Sequence, residues 1–291
     1  MEARPASRRL APVSATLTST NRDYAMGLAR AFAGAIIFGL PLLMTMEMWF
    51  LGISVHPARL LVFLGVNVLI LVGLSRFGGF ERTDNLAEDV MDALAACGVG
   101  IIGSAAVLWL LAIVDLSMPL DEVAGKIAIQ SVPASFGAMI ARKQLSGGGA
   151  EPADEEAAVR GAGYGGQLFL MAAGALFLSF NLAPTEEMAL IAYMMSTWHL
   201  LALVIVSMLL LHLFVYRLGF AGEEAHPDDR GPAHTFLAYT IPGYGIALAV
   251  GLYVLWTFGR VDGTAIDQVA ATMVVIAFPG ALGAAIARLV V

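Results

Sequence analysis

A single cysteine, Cys97, stands among 291 residues, so no disulfide can close within the chain. Its neighbours Leu94, Ala95, Ala96 and Gly98 are apolar or small, and it reads as a packing residue. Charge is scarce too: 13% of residues are charged, against about 25% in a typical soluble domain, while 59% are hydrophobic. That composition excludes an ordinary soluble enzyme. With 16 basic residues against 23 acidic ones the net charge is −7, and the concentrated basic face that nucleic acid requires is missing. No apolar core precedes Ala31, so the start of the chain lacks the pattern of a cleaved signal peptide. No nucleotide-binding loop, nucleophile–base–orienter set or metal-ligand spacing stands out, and no cofactor or metal is expected.

What is present is hydrocarbon, in runs such as Val99–Val114 and Leu200–Val215 that no water-exposed surface could carry. The pattern predicts an all-α, polytopic membrane protein. Its eight spans are Ala31–Leu51, Leu60–Leu74, Ala93–Val114, Val123–Ala141, Gln167–Ala183 with a continuation to Met195, Leu200–Tyr216, Thr240–Phe258 and Ala265–Ala287. Residues 1–29 form a polar tail, 30–143 and 165–291 two membrane units, and 144–164 a Gly- and acid-rich linker; Gly222–Gly231 is a second polar segment. Lys and Arg in short loops stay in the cytoplasm, and only Arg59, Lys126 and Arg260 of the 16 fall on the side opposite the N-terminus. Both termini are therefore expected in the cytoplasm.

The two units can be laid over each other. Thr45-Met-Glu47-Met48 recurs 140 residues later as Thr185-Glu186-Glu187-Met188, and Leu60-Leu61 as Leu200-Leu201. Pro133-Ala-Ser-Phe-Gly137, continuing to Arg142, recurs 146 residues later as Pro279-Gly-Ala-Leu-Gly283, continuing to Arg288. Collinear matches in Pro, Gly, Arg and Glu point to a duplication. Four helices per unit, an even number, predict two parallel repeats related by an axis along the membrane normal, with any pathway at their interface.

Leu168–Glu187, Tyr253–Gly263 and Pro41–Met48 also resemble a bacterial family of integral membrane proteins catalogued only as a domain of unknown function. The resemblance runs from Arg30 nearly to the end. It implies the membrane assignment and brings no activity; the bacterial cytoplasmic membrane is the expected location and the lipid bilayer the expected partner.

The candidate chemistry centres on Glu47 and Glu187, equivalent acids near the outer ends of the first and fifth spans. A carboxylate at mid-membrane costs about 2.5–3.5 kcal/mol, so a duplicated one invites a cation or proton site with Glu186, Thr45, Thr185 and Asn181. The plainer alternative is that both sit hydrated at interface depth. Pro184 withholds an amide and Asn181 can satisfy a freed carbonyl, so Thr185 can open a restarted helix. Pro41 and Pro184 are expected to kink the first and fifth spans. Pro133 with Gly137 and Pro279 with Gly283 are expected to kink or open the fourth and eighth spans, or to serve close packing. His199 and His212 lie about 20 Å apart along one helix, too far to share a ligand, and Asn67 is a buried interhelical donor.

Three functions compete. The first is a transporter or channel for a small cation or protons, with a pathway between repeats. The second is a non-catalytic scaffold or accessory subunit, which needs no polar route and fits a dry seam. The third is an intramembrane hydrolase built on Glu186 and Glu187; Ile191 stands where glutamate-type membrane proteases carry an arginine, and the protein is expected not to be an enzyme.

Overall fold

The computed structural model describes residues 13–77, 86–144, 163–217 and 232–290, which are helices and short turns with no strand among them. The helices are α1 (Val13–Leu43), α2 (Met46–Ser54), α3 (Pro57–Phe77), α4 (Leu86–Leu110), α5 (Leu120–Gln144), α6 (Gly163–Leu182), α7 (Glu187–Met194), α8 (Thr197–Arg217), α9 (Pro232–Thr235), α10 (Ile241–Thr257) and α11 (Ile266–Val290). A single π-helical turn, Phe236–Thr240, joins α9 to α10. Eight helical stretches are long and apolar enough to cross a membrane: Ala25–Leu43, Pro57–Arg76, Leu86–Leu110, Leu120–Ala141, Gly163–Leu182, Thr197–Phe214, Ala233–Thr257 and Ile266–Ala287. They match the expected spans one for one. Most of the linker 144–164, and Gly222–Gly231, lie outside the described residues.

The edges differ, and the reasons are local. Helix α1 begins at Val13, inside the stretch read as a polar tail, and stops at Leu43 instead of continuing to Leu51. Pro41 does not end it. The chain leaves the helix where Thr45 turns extended (φ −98°, ψ 128°) and sends both its amide (3.1 Å) and its hydroxyl (2.7 Å) back to the Leu42 carbonyl. Straight continuation would carry Gly52 about 15 Å past Leu42. Yet the α5 residue opposite moves only from Gln130 to Lys126, so α2 turns aside along the bundle end.

Helix α4 spans Leu86–Leu110, starting before the predicted Ala93 and ending before Val114. It closes with Ala112 in the left-handed region (φ 56°), its amide reaching Trp109 O at 3.0 Å and the Ile113 amide reaching Leu108 O at 2.9 Å. Helix α10 closes identically through Gly259 (φ 71°), with bonds of 3.1 Å to Trp256 O and 2.8 Å from Arg260 to Leu255 O.

Within the first half, α1 and α5 cross backbone to backbone: a Cβ on Gly34 or Gly137 would overlap the other's carbonyl oxygen. In the second half Gly174 of α6 and Gly283 of α11 meet in the same manner. Pro133 and Pro279 lie inside helices that continue through them, so the expected local opening is absent and the glycine one turn on serves close packing.

The halves meet along an aromatic seam. Phe38 of α1 stacks edge-on against Phe177 (centroids 5.8 Å), Phe136 of α5 against Phe180 (5.6 Å), and Phe63 of α3 against Phe258 (5.7 Å). The Phe169 ring of α6 fills the space a side chain at Gly73 would need. Midway along the helices a cavity of about 210 Å³ lies between α3, α6 and α10, lined by Val66, Ile70, Ala172, Leu176, Ala249, Val250 and Tyr253.

Candidate functional site

The polar residues singled out by sequence gather at one end of the bundle, where α1 and α6 stop. In the first break the Leu42 carbonyl accepts from the Thr45 amide, the Thr45 hydroxyl and Gln130 Nε2 (3.1 Å), and Trp49 Nε1 donates to Leu43 O (2.7 Å). In the second the Leu182 carbonyl accepts from the Thr185 amide (3.1 Å) and hydroxyl (2.9 Å), while Arg260 donates to Pro184 O. The threonines therefore do not cap the restarted helices: Thr45 stands at the N-cap of α2 without a side-chain cap bond, and the N-cap of α7 is Glu186. Each threonine hydroxyl donates one turn back instead, to the Leu42 or Leu182 carbonyl. Asn181 donates to the Phe177 carbonyl, and not to the Phe180 carbonyl that Pro184 deprives of its amide.

Glu47 and Glu187 occupy the first turns of α2 and α7. Such placement favours a carboxylate through the helix dipole. Glu47 is half-buried, Glu186 and Glu187 are exposed, and neither Glu47 nor Glu187 makes a hydrogen bond or ion pair among the described residues. Glu186 lies 3.7 Å from Arg260. No contact joins the two equivalent acids, and no three His, Cys, Asp or Glu side chains converge on a metal-sized space among the described residues.

The same end carries a fastener between the halves. Arg59, at the start of α3, makes a bidentate pair with Asp262 (2.7 and 2.8 Å) and lies over the Trp256 ring, 5.1 Å from its centroid. The Arg59 guanidinium holds the Asp262 carboxyl below the ordinary carboxylate range. Asp115, in the corresponding turn of the first half, is likewise lowered by the Ser117 hydroxyl and amide. Lys126 is buried beneath that turn, bonded to Glu122 (2.6 Å) and reaching Ile113 O (3.4 Å).

Three buried polar groups escaped the sequence reading. Asp89 is fully buried near the other end, 3.7 Å from Arg76; the early start of α4 draws it into the span. Gln130 is fully buried with its Oε1 unbonded, and only the Leu42 break explains its amide. Thr240, in the π turn, meets His212 Nδ1 at 3.0 Å. Asn67 behaves as expected, donating to Ser135 Oγ at 3.0 Å beside Cys97.

Apolar helices of membrane length, lipid-type exposed faces and an apolar interior define an all-helical integral membrane protein with several spans. The chain belongs to the family described as "Putative integral membrane protein (DUF2391)", whose profile matches residues 27–291. Neither the curated proteins nor the solved structures offer a match to it.

Proposed function

We propose that the protein is a non-catalytic scaffold or accessory component of the bacterial cytoplasmic membrane, built from two parallel four-helix repeats with both termini in the cytoplasm. The aromatic, apolar seam between the halves supports this reading: of the side chains lining its cavity only that of Tyr253 carries a polar group, and an unpaired charge at mid-membrane costs about 2.5–3.5 kcal/mol. Glu47 and Glu187, in the first turns of α2 and α7, act as hydrated interface residues. The repeat is supported by matched pairs in the same chain order: Gly34–Gly137 with Gly174–Gly283, the left-handed closures at Ala112 and Gly259, and the Thr45 and Thr185 back-bonds. The orientation is supported by the basic-residue asymmetry.

The test is ion flux in proteoliposomes. Proton and alkali-cation flux are expected to equal those of empty vesicles, with Glu47→Gln and Glu187→Gln indistinguishable from wild type. Flux that those substitutions abolish would return the molecule to the carriers.

A further inference from the structure

We infer that the short helices α2 and α7 are a matched pair of interfacial anchors, each set into lipid at the acyl–headgroup boundary of the leaflet where α1 and α6 stop. With nine and eight residues, neither can cross a hydrocarbon core that takes about 20. Each packs on the bundle by one face, and at the same depth. Gly52 of α2 meets the backbone of α5 at Gly125 and Lys126, and Ala192 of α7 shares a core cluster with Ala271 of α11. Helices α5 and α11 begin at Leu120 and Ile266, five residues before Gly125 and Ala271, so both contacts fall about 8 Å inside a membrane-crossing helix. The short helices therefore lie on the flank of the bundle and not over its end. Their other faces are apolar and bare: Phe50 and Ile53 are 66% and 53% exposed, and Leu190 and Tyr193, 140 residues on, are 58% and 54% exposed.

Two observations identify lipid as what covers these faces. All four tryptophans of the chain stand at this end, Trp49 in α2, Trp109 near the end of α4, Trp198 at the start of α8 and Trp256 near the end of α10. Indole is enriched at the headgroup boundary, where its ring meets acyl chains and its N–H finds a polar partner. The bare faces also continue the lipid-facing surface of the neighbouring spans. Exposed Leu40 and Met44 lead from α1 to Phe50, and exposed Met194 leads from α7 to Trp198 on α8. A short helix with one face on protein and the other in acyl chains at this depth holds by its buried apolar area. One such helix in each half fixes both halves at a common depth. This goes beyond the scaffold reading and holds whether or not ions cross.

The experiment uses the full chain, with Cys97→Ala as background, purified into vesicles of phosphatidylethanolamine and phosphatidylglycerol. Nitroxide labels are placed at Phe50→Cys and Tyr193→Cys, with Leu69→Cys on the exposed face of α3 as the lipid reference and Ala265→Cys in the exposed turn before α11 as the water reference. Collisions with oxygen are expected to exceed those with a nickel chelate several-fold at both sites, the ratio falling between the two references. Nickel collision as frequent as at Ala265→Cys, at either site, overturns the anchor by showing a water-facing helix. Collision with both reagents below both references overturns it by showing a protein cover. Wild-type tryptophan fluorescence is a second measurement that needs no variant: lipids brominated near the headgroup end of the chain are expected to quench it more than lipids brominated near the methyl end, and the reverse order overturns the assigned depth.

Discussion

Ala112 holds a left-handed backbone that costs an L-residue roughly 1–2 kcal/mol, at the position where α10 uses Gly259. Ala112→Gly is therefore expected to stabilise the protein, by about 0.5–1 kcal/mol after the entropy glycine loses on folding, and Gly259→Ala to destabilise it. Thermal denaturation in detergent measures both. At Asp262 the sign follows from the lowered carboxyl: its pairing with Arg59 stabilises the fold above about pH 4 and is lost as pH falls through the shifted value, below the ordinary 3.8. Asp262→Asn should flatten that acid loss of melting temperature relative to wild type, and an unchanged slope would exclude the pair as its source. The local sequence offers Asp262 no partner of its own. Its partner Arg59 lies 203 residues away, a distance that no local pattern bridges.

Among the elements, the short helices α2 and α7 are the clearest departure from the linear reading. Both were visible as apolar continuations of the spans before them, because hydropathy records burial in lipid and is indifferent to direction. The turn itself depends on the Leu42 and Leu182 carbonyls finding donors, one of which, Gln130, comes from a helix 88 residues away. The glycine crossings were legible as Gly137 and Gly283, whereas Gly34 and Gly174 acquire meaning only as their partners. Gly34→Leu and Gly174→Leu are each expected to cost about 1–3 kcal/mol or more by forcing apart helices that touch through backbone. Gly98→Leu, whose Cβ would meet open space, serves as the neutral control in the same unfolding titration.

At the scale of the whole molecule, the glutamates that anchored a cation pathway lie at helix ends, and the seam that would have held it is lined by aromatic rings and mostly apolar side chains. A duplicated acid in an apolar run is a sound reason to suspect ion binding, but depth decides its meaning. Depth follows from where α1 and α6 break, which is set by tertiary hydrogen bonds. The proteoliposome measurement belongs here: absence of flux leaves the dry seam as a structural joint, and restoring a route would require α3 and α6 to part where Phe169 now fits against Gly73.

Composition and periodicity alone determined the membrane class and the eight apolar spans, because transfer to hydrocarbon is a property of local apolar length. The tertiary structure decided which polar groups meet and which face lipid: the Arg59–Asp262 fastener, the burial of Asp89 and Gln130, and the exposure of Glu187. Those outcomes depend on interhelical distances of a few ångströms between residues far apart in the chain, and a one-dimensional pattern carries no term for them.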